Sequence, residues 1–152
     1  MINGLELFIV RILIYILTEK TTMPTVMFKA MTPLDLKPNH EQIIFIDTLF
    51  NYGVGYDNNT GVFTAPVAGD DLFTGQLCSR AGGNIHSGIV VDGKDITRTH
   101  SYNRYTHVCS SFDAIVMLHK SGNVWIQSYS RADELYTNSH HWNTFTGVLL
   151  NN

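Results

Sequence analysis

Charge is scarce in this chain. Only 15% of its 152 residues are Asp, Glu, Lys or Arg, against about a quarter in ordinary soluble domains. The ten Lys and Arg are scattered, with no basic run, and the net charge is −3. Phosphate binding needs a concentrated basic patch, so no nucleic-acid partner is expected. Such low charge suits a sheet protein that buries extra surface in an oligomer. Cysteine is nearly absent: Cys78 and Cys109 are the only two. They suffice for one bridge, and their count alone does not say whether it forms. Paired catalytic carboxylates, a nucleophile elbow, a phosphate loop and a dinucleotide fingerprint are all missing, which argues against an enzyme. There is no internal repeat and no Gly-X-Y stalk.

Residues 1–23 differ from the rest. Leu5 to Leu17 is apolar except for Glu6 and Arg11. A secretory signal needs a basic start, an apolar core and a small-residue cleavage site. Here the core is present, the basic start is missing, and Thr18 to Thr22 is a poor cleavage site. The run is shorter than the roughly 20 residues of a membrane span. An imperfect signal segment, a helical stalk or anchor, and an artefact of the chain start all stay open.

Residues 24–152 lack helical periodicity. Short β-rich runs appear instead, punctuated by Gly, Asn, Asp and Pro. They are Thr25 to Met31, Ile43 to Phe50, Gly61 to Ala65, Leu72 to Ser79, Gly88 to Val91, Phe112 to Leu118, Val124 to Tyr129 and Thr144 to Leu150. Ile43 to Phe50 is almost continuously apolar, as expected of a strand covered on both sides. Asp92-Gly93 is a hairpin signal, and Ser121-Gly122-Asn123 marks a second turn. In Phe112 to Leu118, alternation puts Phe112, Ala114, Val116 and Leu118 on one face. Ser111, Asp113, Ile115 and Met117 share the other, a face that invites a neighbouring subunit. Many short strands with frequent turns mean an all-β sandwich or barrel.

The segment Asn51 to Phe73 reads NYGVGYDNNTGVFTAPVAGDDLF. It resembles the signature of the complement component 1q (C1q) globular-head family, part of the tumour-necrosis-factor-like superfamily. Asn51, Gly53, Tyr56, Asp57, Gly61, Phe63, Thr64, Ala65, Pro66, Gly69 and Phe73 fall in register with it. Phe28, within Val26 to Ala30, looks like part of the family's first strand. Phe145 and Gly147, within Thr144 to Leu150, look like part of its closing strand. The resemblance covers roughly residues 25–150. It implies an all-β antiparallel jelly-roll sandwich that packs as a homotrimer, in which the signature specifies packing rather than catalysis.

One position departs from the signature: its Tyr is Asp71 here. Asp71 and Phe73 face the same way by alternation, and an unpaired buried carboxylate is costly. The favoured reading is a frayed strand start with a solvated Asp71; the alternative is a partnered Asp71. The resemblance makes the Cys78 and Cys109 strands antiparallel neighbours, so a Cys78–Cys109 disulfide is expected, on the polar side of both strands. Two free thiols are the alternative. Some relatives bind calcium near the trimer's apex, so calcium is carried as a family-based expectation at Asp57, Asp70 and Asp71. His140-His141 and the other histidines supply no spacing for three or four metal ligands. Asn58-Asn59-Thr60 is an N-glycosylation pattern at Asn58.

The resemblance implies a secreted, extracellular, lectin-like recognition protein of innate immunity. Its ligand would be a carbohydrate or microbial surface. A tumour-necrosis-factor-like ligand for a protein receptor, and an extracellular structural or assembly protein, are the alternatives. Ligand contacts are expected on loops. The candidates are Arg98, His100, Tyr102, Arg104 and Tyr105, with Arg131, His140, His141 and Trp142 in the stretch Arg131 to Trp142.

Overall fold

The computed structural model describes residues 3–18 and 23–152. Helix α1 spans Gly4–Thr18, and its side chains from Leu5 to Ile14 are largely exposed. Among the described residues no helix is long and apolar enough to cross a membrane. The cleavage-like stretch lies, beyond Thr18, outside the described residues.

Ten strands follow: β1 Met27–Pro33, β2 Phe45–Tyr52, β3 Tyr56–Asp57, β4 Val62–Thr64, β5 Gly69–Ser79, β6 Asn84–Val91, β7 Lys94–Tyr102, β8 Val108–Leu118, β9 Asn123–Ser128 and β10 Thr144–Asn151. They form two five-stranded sheets, ordered β2-β1-β10-β5-β8 and β3-β4-β9-β6-β7. Every paired strand is antiparallel. This is the expected jelly-roll sandwich.

The core between the sheets is built of rings. Phe28, Phe45, Phe63, Phe73 and Phe145 are fully buried. Phe28 stacks on Tyr56 at 4.8 Å and meets Phe145 edge-on at 4.9 Å. Such pairs add about 1 kcal/mol each beyond area burial. Tyr56 keeps its hydroxyl satisfied there, donating to the Phe45 carbonyl at 2.9 Å. Gly147 makes the packing feasible: a Cβ would stand 2.4 Å from Phe28 and 2.7 Å from Phe73.

Three expectations need correction. The run Ile43 to Phe50 is not a doubly covered strand. Its strand, β2, is a sheet edge with Ile46 and Leu49 exposed. Apolar sequence here marks surface that the single chain leaves uncovered. Asp71 is not a solvated strand start. β5 already begins at Gly69, and Asp71 is 2% exposed, opposite Val116 on β8 and Leu149 on β10. Its Oδ2 has no hydrogen-bond partner. Burial, followed by the charge of Asp70, pushes its carboxyl up to about 6. Finally, Arg98, His100 and Tyr102 are not on a loop. They lie on β7, an edge strand whose polar β-branched alternation gives no apolar face to read.

Two other expectations hold, the faces of β8 and the disulfide. Ser111, Asp113, Ile115 and Met117 point out from β8, with Ile115 and Met117 exposed by 69% and 79%. Cys78 and Cys109 sit directly opposite each other and are joined, S–S 1.97 Å. Closing a loop of 31 residues contributes about 3–4 kcal/mol on the chain-entropy account. The 129–143 loop buries Cys78 although its strand face is otherwise polar: the Trp142 carbonyl oxygen lies 3.6 Å from Cys78 Sγ, and Cys78 N donates to Asn143 Oδ1 at 2.7 Å.

Candidate functional site

The loops 34–44, 80–83, 103–107 and 129–143 meet at one end of the sandwich. Gly82 N donates to Asn103 O, Leu135 N to Leu36 O, and Arg80 N to Glu134 O. Six of the seven histidines lie at this end: His40, His107, His140 and His141 on the loops, and His86 and His100 on the adjoining strands. His119 lies at the other end, its carbonyl accepting from Gly122 N.

A groove with a volume of about 540 Å³ opens on the outer face of the β7–β6–β9 sheet. Register builds it. Gly88 pairs with Arg98, and His86 with His100. Arg98 and His100 therefore stand on one face, two residues apart. Tyr129 and Ser130, just past β9, close the groove. One wall is a cation–aromatic stack, with the Arg98 guanidinium 4.1 Å from the Tyr129 ring centre. The other is an imidazole stack: His86 and His100 lie 4.3 Å apart and 14° from parallel. Gly88 lets these walls form, since a Cβ there would sit 2.0 Å from the Thr97 carbonyl and 3.2 Å from the Tyr129 ring.

Each wall is held from behind. Arg98 Nη2 donates to Asp95 Oδ2 at 2.6 Å and Nε donates to the same oxygen at 3.2 Å. Tyr129 donates its hydroxyl to Asp95 Oδ1. That bond first, then Arg98, holds the Asp95 carboxyl below its ordinary value, while Asp95 holds Arg98 above its own. Burial, followed by the bond to Asp95, pushes the Tyr129 phenol up to about 12. The imidazole wall rests on Asp133, which is 1% exposed. Asp133 accepts from His86 N (2.8 Å), His86 Nδ1 (3.1 Å), Ser128 Oγ (2.6 Å) and Ser130 N (3.3 Å). A buried carboxylate so satisfied fixes the ring it binds.

The remaining candidates fall elsewhere. His140 and His141 join a second cluster, where Asn138 Oδ1 accepts from both of their backbone N–H groups, at 2.8 and 2.9 Å. There His107 stacks on Tyr136 at 3.6 Å, and His141 meets His107 edge-on at 5.6 Å. A groove of about 430 Å³ adjoins it, lined in part by Lys37, Arg80 and Glu134. Lys37 and Glu134 form an ion pair at 2.9 Å. Trp142 is half exposed, and its carbonyl accepts from Gln76 Nε2 at 2.8 Å. Tyr102 is exposed at the end of β7. Arg104 lies over the Tyr105 ring at 5.7 Å. Arg104, Tyr105 and Arg131 line neither groove.

The oxygen-rich positions behave as turns and core. Asp57 Oδ1 accepts from Asn59 N at 2.8 Å, an Asx turn. Asp70 and Asp71 are adjacent on one strand, so their side chains leave by opposite faces. Among the described residues no group of three or more His, Cys, Asp or Glu side chains converges as a metal site. Asn58 is exposed, and its Nδ2 donates to Ile46 O at 3.1 Å.

The groove residues missed in the sequence are His86, Asp95, Tyr129 and Asp133. Alternation along β6 puts Asn84, His86 and Gly88 on one face, but it does not say which β7 residues share that face. Nothing local marks Asp133, which reaches the groove by a loop.

Comparison with known proteins agrees with this architecture. The globular domain of zebrafish complement 1qA superposes with a TM-score of 0.69 at 19% identity, covering 82% of this chain and 97% of that one. Murine APRIL, in its structure at pH 5.0, superposes with a TM-score of 0.66 at 12% identity, covering 83% and 99% respectively. Both likenesses are likenesses of fold. The C1q domain family matches residues 27–150, a span running from the first strand to the penultimate residues of the last, and the chain belongs to that family.

Proposed function

We propose that this chain is a secreted, extracellular recognition protein that works as a homotrimer. It binds saccharide on microbial or other surfaces in a lectin-like role in innate immunity. One observation carries the reading: two different surfaces lie on the two different sheets. The β2-β1-β10-β5-β8 sheet exposes Leu49, Ile115, Met117 and Leu150, the apolar surface that a subunit contact covers. The groove of Arg98, His100, His86 and Tyr129 lies on the other sheet. Packing through the first sheet would leave three grooves open, and three weak sites on one body multiply into avidity. The lining mixes aromatic faces with donors and acceptors, the chemistry that hydroxyl-rich ligands need.

The test is binding of the folded full chain to a panel of glycans and microbial cell-wall components, with calcium and with chelator. Selective binding is the expected result. Its loss under chelator would assign calcium a role and direct attention to Asp57 and Asp70. Absence of binding across the whole panel would refute the recognition reading and favour a protein receptor or an assembly role.

A further inference from the structure

We propose that the groove between Arg98 and His100 takes a neutral saccharide, through two ligand hydroxyls that donate to His86 Nε2 and His100 Nδ1. This rests on the recognition reading above and names its site and ligand chemistry. The argument begins with tautomers. A carboxylate or carboxamide oxygen only accepts. His86 Nδ1 lies 3.1 Å from Asp133 Oδ1, so that nitrogen carries the proton. His100 Nε2 lies 3.1 Å from Asn84 Oδ1, so it donates likewise. Each neutral ring keeps one bare nitrogen: Nε2 on His86 and Nδ1 on His100. The rings lie face to face at 4.3 Å, so the two acceptors lie in stacked, nearly parallel planes. Two separate ligand hydroxyls can each meet one of them. The stack does not suit a metal ion, because each lone pair lies in its own ring plane and a metal needs both to converge on one point.

Two further features favour hydroxyls. A hydroxyl donating to His86 Nε2 extends a chain through the imidazole to the buried Asp133 carboxylate, and linked hydrogen bonds strengthen one another. Asp95 occupies Nε and one position of Nη2 on Arg98, so Nη1 is available to donate to the hydroxyl oxygens. The ligand's hydroxyls then both give and receive. Charge favours a neutral ligand over an anion: Arg98 is matched by Asp95, and Asp133 adds a negative charge behind His86. Acid reverses this, because an imidazole that gains a proton ceases to accept. The groups facing the pair are Asn84 on β6, Asp95 and Arg98 on β7, Tyr129 after β9 and Asp133 on its loop. None of them replaces the two lost acceptors.

The full-chain protein is tested against immobilised mannan, dextran and galactan, with heparin as an anionic comparator, at pH 7.5 and 5.5. The expected result is binding to a neutral polysaccharide at pH 7.5, about tenfold weaker in His86→Phe and His100→Phe and weaker at pH 5.5. His119→Ala, at the opposite end of the sandwich, should match wild type. His86→Phe also strips a donor from buried Asp133, so the exposed His100→Phe is the decisive variant; its ring keeps the stack and loses only the nitrogens. Neutral-polysaccharide binding that survives both substitutions overturns this inference and leaves the recognition reading standing. So does wild-type failure on all three neutral polysaccharides alongside binding to other members of the wider panel. Heparin binding that strengthens at pH 5.5 and depends on the two histidines also overturns it, by making the groove an anion site. Failure on the whole panel overturns both.

Discussion

Asp71 is a buried carboxyl with an unpartnered oxygen, and its replacement should stabilise the protein. Its carboxyl stands at about 6 in the folded chain against an ordinary 3.8. The native state therefore binds this proton more tightly than the unfolded state does. Below pH 3.8 both states hold the proton, and the stabilising contribution is fully present. As pH rises from 3.8 through 6, the unfolded chain releases the proton first, and stability falls. A displacement from 3.8 to about 6 corresponds to about 3 kcal/mol at neutral pH. Asp71→Asn keeps the shape and removes the ionisation. Its gain over wild type should be near zero at pH 4 and grow to about 1–3 kcal/mol by pH 7.5, the lower values reflecting an amide that also lacks partners. Urea unfolding of both proteins across this range isolates the effect, because the difference cancels every other titration. Protein concentration must be held fixed, since subunit association also shifts apparent stability. A difference that does not vary with pH, or an Asn variant less stable than wild type at pH 7.5, would refute the reasoning.

Two other consequences can be checked as directly. Replacing Cys78 and Cys109 together by Ala should cost about 3–4 kcal/mol, read as a lower urea midpoint that reductant no longer changes; an unchanged midpoint would show that the strand pair is held without the bridge. Ile115→Asp with Met117→Asp puts charge on the exposed face of β8 without touching the core; light scattering should report a trimer for wild type and a monomer for the variant, and a trimer from the variant would move the subunit contact elsewhere.

Much of the fold was legible because its signals are local. Asp92 and Gly93 both adopt left-handed backbone angles, φ 48° and 79°, as a two-residue hairpin turn requires. Alternation in β8 separates buried Phe112, Ala114 and Leu118 from exposed Ile115 and Met117. Coverage was harder to read. The apolar run of β2 reads as interior, although the strand is an edge in the single chain. Composition records that a surface avoids water, and is silent on whether the chain itself or a second copy provides the cover. Asp71 failed for the opposite reason: a carboxylate reads as surface, while the strand's parity, which pointed inward with Phe73, was the better guide.

The groove depended on one residue of register. Counting back from the Asp92-Gly93 turn in an unbroken hairpin pairs Val91 with Lys94, and then His86 with Thr99. Cross-strand partners share a face, so His100 would have stood on the face opposite His86. The structure instead shifts register between Ile89 and Val90, pairing Ile89 with Thr97, Gly88 with Arg98 and His86 with His100. One extra residue on β7 inverts every face beyond it. That bulge brings the two imidazoles into contact and sets Arg98 above Gly88, where Tyr129 can stack on it. Arg98 and His100 were recognisable as candidates by residue type, but their partner His86 was not, because no local sequence signal places the bulge. Tyr129 and Asp133 reach the groove from after β9, through contacts that only the assembled sheet creates.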